Sequence, residues 1–168
     1  RLLRKIGSGG MGSVFEALQI SLNRKVAVKL LLPSLLKDAT QREQFENEAR
    51  VIAMLHHPNI VQVLSAGCSA EYCFYAKELI DGKGLDQCEL SDVRRIAEIG
   101  LQAARALAYA HHCKVMHRDI KPANLLLDSE GVVHVGDFGL AFVLQGDTNS
   151  FEETGTQSGT IRYMPPER

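Results

Sequence analysis

The sequence predicts an α+β chain in two parts, a β-rich first half and a mainly helical second half. Short runs of β-branched and apolar residues, separated by glycine or polar turns, fill most of residues 1–80. One stretch of helical period interrupts those runs, and a longer one opens the second half. At 168 residues and 45% hydrophobic content, the chain is globular in composition and long enough to bury a core.

In chain order, Leu2 to Ile6, Ser13 to Leu18 and Val26 to Leu32 read as strands, joined by a glycine-rich turn and by a polar turn at Asn23-Arg24. From Thr40 to Leu55 the period changes. Phe45, Ala49, Ile52 and Ala53 recur at helical spacing, and Pro58 stops the helix. Ile60 to Leu64 and Tyr72 to Ile80 read as two further strands, and Asp81-Gly82-Lys83-Gly84 as a linker to the second part. Ser91 is the expected N-cap of a helix running to about Cys113, with Val93, Ile96, Ala97, Gly100, Ala104, Leu107 and Ala108 on its inner face. Short strands at Leu125 to Leu127 and Val132 to Val135 flank a turn at Asp128 to Gly131, and Phe142 to Gly159 reads as a polar, mobile loop.

A net charge of −1 gives no support for nucleic-acid binding or a basic membrane surface. Cys68, Cys73, Cys88 and Cys113 lack CxxC spacing, so zinc is disfavoured and reduced, part-buried thiols are expected. No apolar run approaches a membrane span and no signal peptide is visible. The expectation is therefore a cytoplasmic segment of a longer protein, with no membrane contact of its own.

Two constellations carry chemistry. Gly7-Ser8-Gly9-Gly10-Met11-Gly12-Ser13-Val14 has the GxGxxGxV spacing, in which glycines let backbone N–H groups approach phosphate oxygens with no Cβ in the way. The same glycines would suit a dinucleotide-binding turn, but that turn leads into a helix, and here Val14-Phe15-Glu16-Ala17 continues as strand. Lys29 follows on the apolar strand Val26-Ala27-Val28, where burying an ammonium without a partner is costly. Glu48 lies on the inward helical arc with Phe45, Ala49 and Ile52. The second constellation is His117-Arg118-Asp119-Ile120-Lys121-Pro122-Ala123-Asn124, followed by Asp137-Phe138-Gly139. An acid, a lysine, an amide and a second acid at these intervals suit phosphoryl transfer from a Mg-bound nucleotide.

In these motifs the chain resembles a protein kinase, most like the bacterial Ser/Thr kinases of eukaryotic type, and the resemblance runs from the first residues to Arg168. It implies a bilobal fold, with residues 1–80 as a complete N-lobe and 81–168 as a partial, C-terminally truncated C-lobe. The implied activity is that of a non-specific serine/threonine protein kinase using ATP and Mg²⁺, or Mn²⁺, on protein substrates. Nucleotide contacts fall to Ile6, Gly7, Ser8, Gly9, Gly10, Met11, Gly12, Val14, Ala27, Lys29 and Leu126, with Glu78 and Ile80 giving backbone groups to the adenine edge. Lys29 pairs with Glu48 and with phosphates. Asp119 accepts or orients the hydroxyl proton, and Lys121 neutralises the transferring group. Asn124 and Asp137 are the oxygen ligands of the metal. His117 and Phe138 stack in the apolar spine, with Ile52 and Val63 above them.

The resemblance also gives Arg118 a phosphorylated loop threonine as partner, with Thr154 and Thr156 as candidates and Thr148, Ser150 and Ser158 weaker ones. A homodimer would allow trans-autophosphorylation. Thr160 shapes the substrate platform. Lys77 departs from the pattern, standing where relatives carry an apolar residue or threonine, and is expected to reach Glu48 or to snorkel to solvent. Residues 85–91 leave little room for the helix that usually precedes the long one. His56, His57, His111 and His112 read as structural or solvated. A nucleotide-binding pseudokinase, an inactive fragment and a small-molecule phosphotransferase remain as alternatives; the segment Gly159 to Glu167, a peptide-docking pattern, argues against the last.

Overall fold

The computed structural model describes residues 1–9, 12–31, 39–69, 71–138 and 163. Among these it divides into two compact units, residues 1–54 with 62–79, and residues 55–61 with 80–138.

The first unit is a five-stranded antiparallel sheet with one helix. Strands β1 (Leu2–Gly9), β2 (Gly12–Gln19) and β3 (Arg24–Leu31) form a meander, and β4 (Val63–Cys68) and β5 (Cys73–Glu78) a hairpin, giving the order β1-β2-β3-β5-β4. Asn23 takes the left-handed turn before β3 at φ 47°, a region asparagine tolerates. Helix α1 (Ala39–Ala53) packs against β4 and buries Phe45, Ala49 and Ile52, the expected arc. Phe45 meets Tyr75 of β5 with ring centroids 6.4 Å apart.

Strand β4 starts at Val63 and not at Ile60. Ile60 bridges Val135 instead, and the Val61 N–H donates to the Val135 carbonyl at 2.9 Å. These two apolar residues are thus satisfied in the second unit, a choice that composition cannot reveal. At the far end of the β4–β5 hairpin, Cys68 and Cys73 are direct cross-strand partners and form a disulfide. This corrects the expectation of reduced thiols: hairpin register placed the pair, although sequence spacing carried no sign of it. Cys88 is half-buried and Cys113 exposed, both as thiols.

The second unit holds β6 (Gly82–Gly84), α2 (Val93–His112), β7 (Leu125–Asp128) and β8 (Val133–Val135), with sheet order β6-β7-β8. The expected linker at 81–84 is therefore mostly strand. A Cβ at Gly82 would overlap the Leu127 carbonyl oxygen, so glycine here permits close pairing with β7. Residues 85–91 contain a single 3-10 turn, Leu85–Gln87, in keeping with the short space expected.

Helix α2 brings two corrections. Its N-cap is Asp92, whose Oδ1 accepts the Arg94 N–H at 2.9 Å, and not Ser91. Its buried face is Ile99, Ala103, Ala106 and Ala110, whereas Val93 is 79% exposed and Ile96 45% exposed. The helix is alanine-rich and apolar around much of its circumference, so periodicity alone does not select a face. Polar anchors select it. Gln102 Oε1 accepts from Asn59 Nδ2 at 3.1 Å and from the Val133 N–H at 2.9 Å, and the Tyr109 hydroxyl accepts the His56 N–H at 3.2 Å. His57 is structural, as expected, packing on Tyr109 and accepting the Asn59 N–H.

Candidate active site

In the first unit, register determines which side chains share a face. Gly12 sits at φ 149°, where a Cβ would strike the Leu30 carbonyl, so the turn into β2 requires glycine. Gly7, Ser8 and Gly9 end β1, and Gly9 pairs with Gly12. Gly10 and Met11 lie outside the described residues. Ile6 is exposed, Val14 half-buried and Ala27 buried, and Val14 pairs directly with Lys29. Lys29 in turn pairs with Tyr75 of β5, and its Nζ lies 5.8 Å from the Tyr75 ring centroid, within cation–π range. Tyr75 was not singled out from the sequence; its alternation with Lys77 was the signal present. Glu48 is half-buried on α1, and neither it nor Lys29 is without an interaction partner. The Glu78 N–H donates to the Gln62 carbonyl at 3.0 Å. Lys77 is only 8% exposed.

In the second unit, the catalytic-loop residues close a ring of hydrogen bonds. His117 Nε2 donates to the Gly136 carbonyl at 2.8 Å, and the Gly136 N–H donates to the Asn124 carbonyl at 2.9 Å. Asn124 Nδ2 donates to the Asp119 carbonyl at 2.7 Å and to Asp119 Oδ2 at 3.0 Å. The Asp119 N–H returns to His117 Nδ1 at 3.3 Å. Lys121 Nζ is 2.8 Å from the same Oδ2. Gly136, the hub next to Asp137, was missed from the sequence because its part is played by backbone atoms.

The ring assigns the His117 tautomer: Nε2 carries the proton and Nδ1 accepts. A second proton on Nδ1 would face the Asp119 N–H. Burial pushes the His117 pKa below its ordinary value, against the upward pull of the Gly136 carbonyl and of the Asp119 and Asp137 charges. His117 also packs on Phe138 with centroids 4.6 Å apart, as the resemblance implied.

Arg118 and Asp137 both occupy the left-handed region, at φ 64° and 53°. Such backbone costs of order 1–3 kcal/mol for a non-glycine residue and persists where surroundings over-determine it, as this ring does. Asn124 uses Nδ2 on Asp119, so Oδ1 is its oxygen for a cation. This oxygen and the Asp137 carboxylate are hard donors of the type that could hold Mg²⁺, an ion that takes few protein ligands and completes its shell with water and phosphate. Leu126 is half-buried in β7, and Ile80 directly precedes the loop into β6. Thr154, Thr156 and Thr160 lie outside the described residues, as do the weaker loop candidates.

A five-stranded sheet carrying a glycine turn and a strand lysine, with a separate loop of acid, lysine and amide braced against the Gly136 backbone beside a second acid, defines the protein-kinase class. The chain belongs to the protein kinase domain family, which matches residues 1–168. It is 37% identical to the serine/threonine-protein kinase PknA of Mycobacterium tuberculosis, over 100% of this chain and 41% of that protein. It is 34% identical to the serine/threonine-protein kinase PrkC of Bacillus subtilis, over 100% of this chain and 26% of that protein. Among solved structures it resembles the PknI kinase domain of Mycobacterium tuberculosis, with a TM-score of 0.72 and 29% identity, over 83% of this chain and 59% of that one. The chain thus spans between about a quarter and two-fifths of the curated relatives it matches.

Proposed function

We propose that this chain transfers the γ-phosphoryl group of Mg-ATP to serine and threonine hydroxyls of proteins. The observation that carries the reading is the closed hydrogen-bond ring around Asp119, in which Lys121 and Asn124 both hold Oδ2. A carboxylate fixed in this way presents its other oxygen to an incoming hydroxyl, and general-base help of this kind contributes roughly 10²–10⁴ in rate. Lys121 balances charge on the group in transfer. Asn124 and Asp137 would hold the metal, which supplies charge neutralisation at the phosphates.

Residues 1–80 form the nucleotide-holding lobe in this reading, with the Gly7–Gly12 turn, Ala27, Val14, Ile6 and Lys29 as its contacts and Glu48 as the partner of Lys29. Residues 81–168 supply part of the second lobe. Glu78 and Ile80 give the adenine edge its backbone partners, and Leu126 gives it an apolar floor. Thr154 and Thr156 are the proposed autophosphorylation positions, with Arg118 as the cation that receives them, and Thr160 belongs to the substrate platform. Trans-autophosphorylation in a homodimer and a cytoplasmic location complete the proposal. Among the described residues, no helix is long and apolar enough to cross a membrane.

The test is intact-mass and phosphosite spectrometry of the full-length protein after incubation with Mg-ATP, beside an Asp119→Asn control. The expected result is phosphate on Thr154 or Thr156 that the control lacks. A full-length protein that binds Mg-ATP and stays unmodified, toward itself and toward added protein substrates, would be a pseudokinase.

A further inference from the structure

Lys77 is the one lysine that falls among the buried residues described, at 8% exposed, and the mechanism above does not use it. The register between β3 and β5 runs without a shift, pairing Ala27 with Lys77 and Lys29 with Tyr75. Lys77 and Lys29 therefore stand on one face of the sheet as diagonal neighbours, a spacing of roughly 7–8 Å in an antiparallel pair. Phe45 of α1 packs on Tyr75, so α1 reaches this same face.

A buried ammonium requires an acceptor. Among the described residues no buried side-chain nitrogen or oxygen lacks a hydrogen-bond partner, and Lys77 is not without an interaction partner. The acids described in this unit narrow the choice. Glu16 is taken by Arg4 and Lys25, Glu46 pairs with Arg50, and Glu43 and Glu71 are exposed. Glu78 adjoins Lys77 but alternates to the opposite face and is exposed. Glu48 remains, half-buried on the α1 arc that carries Phe45 and Ala49.

We propose that Lys77 is a second lysine of the nucleotide site, a positioning residue that shares Glu48 with Lys29 and leaves this face with surplus positive charge for the nucleotide phosphates. The inference rests on the functional reading above. One carboxylate cannot neutralise two ammonium groups, so like-charge neighbours here cost stability in the empty protein and are compensated when a polyanion binds. Replacing a buried ion by an apolar group of similar volume is often neutral or stabilising. A site built for a polyanion therefore gives stability and nucleotide binding opposite responses to loss of the charge.

The test uses the full-length protein with Mg-ATP, comparing wild type, Lys77→Met, Lys77→Arg, Glu48→Gln and the double variant Lys77→Met/Glu48→Gln. Lys77→Met is expected to raise KM for ATP about tenfold, with a smaller fall in kcat, while the unliganded Tm holds or rises. Lys77→Arg should recover most of the KM. The Lys77 and Glu48 substitutions should be non-additive in calorimetric nucleotide binding. A KM within twofold of wild type in Lys77→Met, strict additivity with Glu48→Gln, or a lowered Tm with unchanged nucleotide binding would overturn the inference alone. Absence of Mg-ATP binding by the wild type would overturn the functional reading and this inference with it.

Discussion

Lys29 and Asp119 are both charged side chains that have to be held still, and the two units hold them by different means. Lys29 stands in the middle of a strand, where ladder hydrogen bonds to β2 and β5 fix its backbone and Tyr75 lies beneath its ammonium group. Asp119 stands in a loop with no ladder. Its position depends on side-chain bonds from Asn124 and Lys121 and on the His117 ring, next to an arginine in left-handed backbone. A group held by register is insured by many backbone bonds, whereas a group held by a closed polar ring depends on every member of it. Single side-chain losses are therefore expected to hurt the second unit more than the first.

The largest expected effect comes from opening the ring. His117→Ala removes two hydrogen bonds and leaves a cavity beside Phe138, and should cost about 3–4 kcal/mol in chemical denaturation. His117→Phe keeps a ring against Phe138 but strands the Gly136 carbonyl and the Asp119 N–H, at about 1–3 kcal/mol. Acid should have a related effect. Because the folded His117 pKa lies below the ordinary value of 6.5, the unfolded chain binds more protons in the window beneath that value. The stability contribution is complete above 6.5 and falls away as pH drops through the folded pKa. Denaturation midpoints at about pH 7.5 and 5.5 should show this slope in the wild type and a flatter one in His117→Phe. Equal slopes would mean that another group titrates there.

A smaller effect is expected where the first unit carries its own cross-link. Cys68 and Cys73 are separated by 5 in sequence, so the loop they close is short and the chain-entropy contribution is only about 2 kcal/mol. The Cys68→Ser/Cys73→Ser variant should lower Tm by the amount that reductant lowers it in the wild type. Any further fall on adding reductant to the variant would point to Cys88 or Cys113.

The smallest effect belongs to Glu16, held by Lys25 at 2.7 Å and Arg4 at 2.6 Å, both of whose side chains are largely solvated. The Lys25 hydrogen bond lowers the Glu16 pKa against the opposing effect of burial, with Arg4 assisting. Its contribution is present above the ordinary carboxylate value of 4.5 and is lost as pH falls below it. Glu16→Gln should therefore differ little from wild type in thermal unfolding, and the difference should shrink further in high salt and in acid. A large, salt-insensitive loss would show that the first unit also depends on side-chain networks.

The resemblance was legible because kinase chemistry fixes residue types at fixed intervals, and the strand and helix order followed from periods of two and 3.6. Asp119, Lys121, Asn124 and Asp137 could be picked out from spacing, as could the inward arc of α1, because Phe45 and Ala49 are flanked by polar residues. Helix α2 was harder to read: alanine on most sides leaves many equivalent faces, and Gln102, Asn59 and Tyr109 chose among them through polar bonds distant in sequence. The same reason hid the Cys68–Cys73 pair, the capture of Ile60 and Val61 by β8, and the role of Gly136. Sequence alone determined which groups are available to do chemistry, since side-chain identity and local period are written residue by residue. Only the tertiary structure decided which groups meet, because strand register and backbone hydrogen bonds between distant segments depend on how the chain closes on itself.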